Sequence, residues 1–204
     1  DARKRGAKMI VIDPRMSNSA GMADLWIPAW PGTEAALYLY LTNRLLNEKS
    51  KNGEDLVAHG FVKEWVNWDR LMDNKDYLKK MIGYGYISKM PQDDSYESFI
   101  KMIQELYAPY TKEMVVRECK LEGMEYKLDQ LWEMFVDGGS KIATYLWRAG
   151  PIGHRGGWMN ARAGFLPLAL VGAMRGDIGG IGFHHNHEIS VAGKGDKATV
   201  AGER

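Results

Sequence analysis

Two short runs near the start of the chain put acidic, basic and glycine residues where a nucleotide would be met. They are Ile12-Asp13-Pro14-Arg15 and Pro31-Gly32-Thr33-Glu34. A carboxylate at the end of a strand, the place read for Asp13 below, can take ribose hydroxyls or guanine N–H groups. Arg15 suits a phosphate or the face of a base. Gly32 and Thr33 are small enough for close approach, and Glu34 supplies a second carboxylate. The same residues also serve plain local structure, with Asp13 and Thr33 as caps, and strand-end acids occur in many α/β sheets without such a ligand. On these residues alone both readings stand.

A third run, Trp147 to Arg162, combines Gly150, Gly153, Gly156 and Gly157 with His154, Arg148, Arg155 and Arg162. It has neither the Gly-Lys-Ser/Thr of a Walker loop nor GxGxxG spacing. Close strand–helix packing would explain the glycines, with His154 satisfied by backbone. The run is more polar than a connection requires, so ligand binding is the preferred reading. His184-His185-Asn186-His187-Glu188 has the side chains of a metal site. Adjacent histidines on one loop rarely converge on one ion without ligands from elsewhere, so a solvated or cofactor-facing loop is expected. Cys119, with Arg117 and Lys120 nearby to lower its pKa, is expected to be an ordinary half-buried thiol.

The elements that must position these groups alternate between strand and helix. Ala2 to Lys8 reads as the tail of a polar helix stopped at Gly6. Met9 to Ile12 is continuously apolar, as in a strand buried on both faces of a parallel sheet, and Pro14 ends it. Leu25-Trp26-Ile27 is the next strand. Pro31-Gly32 then turns into a helix from Ala35 to Asn47, with Thr33 as N-cap and Glu34 at the positive end of the dipole.

Residues 48–136 are charged with interleaved aromatics and read as a mostly helical insertion. Phe61 to Trp68 reads as one amphipathic helix, Tyr96 to Leu106 as a second, Leu128 to Phe135 as another, and Thr111 caps a separate start. Met81 to Ile87 reads as a loop or short strand. The aromatic and methionine stripes read as core packing first.

Glycine marks the next boundary: residues 1–137 hold 8 of the 23 glycines and residues 138–204 the other 15. In 137–204 a strand over 141–147 leads into the His154 loop, a helix from about Trp158 to Met174, and a second glycine-rich loop from Gly176 to Gly182. A strand, a glycine-rich loop and a helix in that order bring backbone N–H groups and a helix N-terminus to an anion.

Composition narrows the functional classes. Hydrophobic residues at 45% and charged residues at 26% describe a folding chain. Lys and Arg total 27 against 26 Asp and Glu, so no basic excess points to nucleic acid. The longest apolar run, Ala163 to Met174, is broken by Gly164, Pro167 and Gly172 and is too short for a membrane span. One cysteine excludes an iron–sulfur cluster or four-thiolate zinc held by these residues alone and leaves the compartment open, periplasmic or cytoplasmic. The chain opens at Asp1 without an initiator Met and stops in Gly202-Glu203-Arg204, which reads as an internal fragment of a longer, multidomain protein.

In that light the motifs resemble a known family. Residues 3–15 (Arg-Lys-Arg-Gly-Ala-Lys-Met-Ile-Val-Ile-Asp-Pro-Arg), then Ala23-Asp24-Leu25-Trp26-Ile27-Pro28, then Pro31-Gly32-Thr33-Glu34-Ala35-Ala36-Leu37 are similar to the ordered signature of the dimethyl sulfoxide reductase superfamily of molybdopterin oxidoreductases. Gly150 to Asn160 resembles the family's histidine loop, and Arg162-Ala163, Leu166, Leu170, Gly172 and Gly176 to Gly182 its following helix and loop.

The resemblance implies an α/β fold with Rossmann-like parallel-sheet lobes. It implies a catalytic subunit with molybdenum or tungsten on two molybdopterin guanine dinucleotides. Such a chain performs oxygen-atom or hydride-equivalent transfer on a small substrate, or in a few relatives hydration or hydroxyl transfer. Electrons pass through iron–sulfur centres, an electron-transfer subunit and in some cases a membrane anchor. Asp13, Arg15, Gly32, Thr33 and Glu34 would line the guanosine end; Gly150, Gly153, Gly156 and Gly157 would meet phosphate and pterin; His154 would handle protons near the metal. The metal's protein ligand and the cluster cysteines would lie upstream of Asp1. Three positions depart: Glu34 stands where Asp is usual, Gly156 for Asn and Gly153 for Gln. The rival readings are a metal-free scaffold paralogue in a respiratory assembly and an unrelated nucleotide-binding module.

Overall fold

The computed structural model describes residues 2–146, 153, 156–175 and 180–183. The opening polar helix is a single 3-10 turn, Arg3–Arg5, ended by Gly6 at φ 90°. Strand β1, Ile10–Ile12, pairs in parallel with β2, Leu25–Ile27, in the register Ile10 to Leu25 and Ile12 to Ile27. A short helix α1, Asn18–Gly21, capped by Ser17, lies between them. β1 is only half-buried, not buried on both faces, because this described sheet has two strands and β1 has a single neighbour. Helix α2, Glu34–Asn47, begins one residue before its expected start.

The middle region is helical, as the sequence suggests, but is divided differently. The helix read over 61–68 is two, α3 His59–Trp65 and α4 Trp68–Asp73, because Val66 is extended and breaks the ladder. Met81 to Gly83 is the last turn of a third helix, α5 Lys75–Gly83, rather than loop or strand. Asn74 caps it, and Leu78 and Met81, three residues apart, are buried together. Next come α6, Tyr96–Tyr107, capped by Ser95, and α7, Lys112–Cys119, capped by Thr111 as expected. Helix α8, Tyr126–Gly138, closes the region.

Strand β3, Ala143–Leu146, starts two residues later than expected because Gly139–Lys141 form a 3-10 turn; Trp147 lies outside the described residues. Helix α9, Gly157–Leu170, ends before the expected Met174. Gly172 stops it at φ 72°, and a Cβ there would meet Ala58 Cβ at 3.2 Å. The stretch read as a second glycine loop contains a strand instead, β4 Gly180–Phe183, parallel to β3 in the register Ala143 to Gly180. Ile181 and Phe183 favour the extended chain, and α9 supplies the long crossover that parallel neighbours need.

One hydrophobic core joins these parts. It includes Ile27 of β2, Leu37, Leu41 and Leu45 of α2, Val115 of α7, Leu128 of α8 and Leu168 of α9. Helix α2 is central, packed by α6, α7 and α9. Its N-terminus, which carries Glu34, is met by Asn160 of α9 and by Cys119 of α7. No helix among the described residues is long and apolar enough to cross a membrane.

Candidate functional site

Asp13 sits at the carboxyl end of β1. Its N–H donates to Ile27 O at 3.2 Å, and its carbonyl accepts the Trp26 indole N–H at 2.8 Å. Its carboxylate Oδ1 accepts the Arg15 backbone N–H at 2.9 Å, an Asx-type turn. The local role read for Asp13 thus occupies one oxygen. Arg15 itself is exposed, and its guanidinium has no ion pair or hydrogen bond among the described residues.

The loop before α2 is pinned from two sides. Gly32 has φ 85°, a left-handed turn. Thr33 stands at the N-cap position but does not cap: its hydroxyl turns back and donates to Trp30 O at 2.6 Å. The cap comes from the far end of the chain. Asn160 Oδ1 accepts the Ala35 N–H at 3.1 Å, one of the donors that a helix start leaves open. Asn160 Nδ2 also donates to Glu34 Oε2 at 3.2 Å. On the other side, Cys119 O accepts the Trp30 N–H at 3.0 Å, and Cys119 Sγ donates to Thr33 O at 3.6 Å.

Cys119 is fully buried rather than half-buried. Burial pushes its thiol up to about 11; the Thr33 side chain opposes this, and the Glu34 and Glu118 carboxylates add to it. Arg117 and Lys120 do not offset the burial. Cys119 is thus a structural tie to the loop rather than a reactive thiol.

Glu34 is only 7% exposed. Among the described residues its Oε1 has no hydrogen-bond donor, whereas Oε2 has Asn160. One turn along, burial and then the Glu34 carboxylate push the Tyr38 phenol up to about 12. A buried carboxylate oxygen without a donor is costly. Such an oxygen can accept an N–H or O–H group.

The second glycine loop reaches the same point. Gly156 at φ 77° precedes α9, Gly157 is its first, buried residue, and Asn160 lies in its first turn. Gly153 is exposed. The structure thus brings Gly32, Thr33 and Glu34 up to Gly156 and Gly157, while Asp13 and Arg15 connect to them only along β2. Gly150 and His154 lie outside the described residues, as do His184, His185 and His187. Among the described residues no three His, Cys, Asp or Glu side chains are grouped to hold a metal.

Sequence reasoning quoted Asn160 only as the end of the histidine loop, with no role, and did not find the Cys119 tie. For Asn160 a signal was available: it is one of two polar side chains, with Arg162, in an otherwise apolar α9.

Comparison with known proteins agrees with the motifs. No family model matches the chain. Acetylene hydratase of Syntrophotalea acetylenica is 45% identical over 73 residues, 35% of this chain and 9% of that protein. The formate dehydrogenase major subunit of Haemophilus influenzae is 29% identical over 92% of this chain and 20% of its own length. Dimethyl sulfoxide reductase DmsA of the same organism is 35% identical over 44% of this chain and 12% of its own length. Among solved structures, acetylene hydratase from Pelobacter acetylenicus superposes with a TM-score of 0.57 at 23% identity, over 87% of this chain and 19% of that one, a likeness of fold. The chain spans a fifth or less of the length of these relatives. Its homologues are thus molybdopterin oxidoreductases of the dimethyl sulfoxide reductase family, the family its motifs resemble.

Proposed function

We propose that this chain is a cofactor-holding part of a molybdenum or tungsten oxidoreductase and binds the guanine end of a molybdopterin guanine dinucleotide. The observation that carries the reading is Glu34: a carboxylate 7% exposed, at the start of a fourteen-residue helix, with one oxygen lacking a described donor. Guanine fits that oxygen, because its Watson–Crick edge offers adjacent N–H donors and an ionised carboxylate only accepts.

In this reading Asp13 accepts from a ribose hydroxyl through the oxygen that its Arg15 turn leaves open, and Arg15 meets a phosphate. Gly32, Gly156 and Gly157 leave room for close backbone approach, and the N-termini of α2 and α9 favour a negative group. Thr33 shapes the loop through Trp30 rather than touching the ligand. Gly150, Gly153 and His154 would also serve the cofactor, the glycines by meeting phosphate and pterin and His154 by holding or passing a proton. The bound metal–pterin would supply two-electron redox or Lewis-acid chemistry to a small substrate.

The organisation that follows is a dinucleotide-binding, Rossmann-like lobe over 1–47, a helical insertion over 48–136, and a cofactor-loop segment over 137–204. The relative named as a major subunit belongs by that name to a larger assembly. By extension, we place an iron–sulfur electron-transfer subunit, and in some settings a membrane anchor, beside the protein carrying this chain. Relatives named for hydration and for dehydrogenation both match, so the matched residues serve a shared cofactor rather than one substrate.

The test is metal and pterin analysis of the full-length protein carrying this chain. Molybdenum or tungsten together with an extractable pterin is expected. A well-folded preparation containing neither would support the scaffold reading instead.

A further inference from the structure

Asn160 is out of place by composition. It is 5% exposed, in the first turn of a helix whose remaining residues, Arg162 apart, are apolar or glycine. A buried amide costs stability unless its hydrogen bonds are made. Here Oδ1 and Nδ2 are committed to successive residues of α2: Oδ1 accepts from Ala35 N at 3.1 Å, and Nδ2 donates to Glu34 Oε2 at 3.2 Å.

These two bonds do different things. The first caps α2, a task any small acceptor performs. The second takes up one chosen oxygen of the carboxylate. A free Glu side chain rotates about its terminal bonds and offers either oxygen, whereas a Glu fixed at Oε2 offers Oε1. The bond also crosses from the first turn of α9 to the first residue of α2.

We propose that Asn160 is a positioning residue for purine selection. By holding Glu34 at Oε2 it presents Oε1 as a fixed acceptor, favouring a guanine-type base and disfavouring adenine, whose corresponding edge pairs a donor with an acceptor nitrogen. The inference rests on the reading of Glu34 as a base acceptor.

The test uses the full-length protein carrying this chain, made without pterin cofactor, and titrates GDP and ADP separately while melting temperature is recorded. Asn160→Ala is expected to weaken GDP by about tenfold, the usual scale for one hydrogen bond to a charged group, with ADP unchanged. Asn160→Asp keeps the size and the acceptor for Ala35 N–H but sets a carboxylate against Glu34. GDP binding in that variant should weaken at least as much as in Asn160→Ala, because like charges side by side turn the Glu34 carboxylate away. The double variant Glu34→Gln with Asn160→Asp restores a hydrogen bond of reversed polarity. It should recover the melting temperature lost in Asn160→Asp without recovering the preference for GDP.

A merely structural role predicts the opposite pattern: GDP and ADP weakened alike in Asn160→Ala, in step with its loss of melting temperature. That pattern overturns the inference. If Glu34→Gln abolishes the preference while Asn160→Ala and Asn160→Asp both keep it, the inference also fails but the reading of Glu34 survives. If the unaltered protein binds neither nucleotide, or binds both equally, both are wrong.

Discussion

Two carboxylates in this chain, Glu34 and Asp55, each sit at a junction between helices and do opposite things with their oxygens. Asp55 Oδ1 accepts the Val57 N–H at 3.0 Å, while Oδ2 meets Lys49 Nζ at 3.0 Å and His59 Nε2 at 3.2 Å. His59 Nδ1 continues to the Tyr96 hydroxyl at 2.8 Å. Each oxygen has a partner, and the group clips the start of α3 to α6. Glu34 is more buried, yet one of its oxygens has no described donor. A fully satisfied cluster is complete as structure, whereas a buried acceptor with no described donor can take one from a ligand.

The largest effects should come from the leucines beneath the two regions. Leu37, on the helix of Glu34, and Leu78, on α5, are both fully buried. Truncating either to Ala should cost about 2–5 kcal/mol in denaturant unfolding. Only Leu37→Ala should also weaken retention of a guanine nucleotide, and equal loss in both variants would erase the distinction.

Glu34→Gln keeps size but removes the charge and, with the amide oxygen held by Asn160 Nδ2–H, puts an NH2 donor in place of the second acceptor oxygen. It should reduce guanine nucleotide affinity by roughly 100-fold, on the scale of two hydrogen bonds to a charged group, without a comparable loss of stability. Asp55→Asn should leave that affinity unchanged, as measured by the same titration.

Asp55 offers a smaller effect with a defined sign. Burial opposes its ionisation, but the Val57 N–H and the contacts to Lys49 and His59 prevail and hold its pKa at about 2. A pKa below the unfolded value means the unfolded chain binds more protons between the two. The resulting stability is present above about pH 4 and is lost as pH falls toward 2. The group is well exposed, so under about 1 kcal/mol is expected. The urea midpoint should fall less between pH 5 and 2.5 in Asp55→Asn than in the unaltered protein, and an identical fall in both would contradict this.

The smallest perturbation is chemical. With Cys119 buried and its thiol raised to about 11, a thiol reagent at pH 8 should modify it only on unfolding. Fast labelling of the native protein would show that the Trp30–Thr33 loop is not tied down as described.

Local signals were well legible in the sequence. The apolar strands before Asp13 and before Pro28, the Thr111 cap and the glycine stop after Arg5 follow from a few neighbouring residues, and the structure has them. Parallel pairing was legible for β1, from its unbroken apolar run, but not for β4, where glycines hid Ile181 and Phe183. The break at Val66 has no breaker residue to announce it, and α5 hid behind Gly83 and Gly85.

At the candidate site the glycines and Glu34 could be picked out, but not the way they are held. The cap that Thr33 was expected to give comes from Asn160, 125 residues away from Ala35, and the other tie comes from Cys119, 86 residues from Thr33. Contacts of that separation are made by packing, and no local pattern encodes them.

The central claim is that Glu34 accepts a guanine base, and the most direct measurement is the guanine nucleotide released by acid from the full-length protein as isolated, with and without Glu34→Gln. The account predicts GMP in fixed proportion to metal in the unaltered protein and its loss from the folded variant. Equal GMP in both proteins would contradict it.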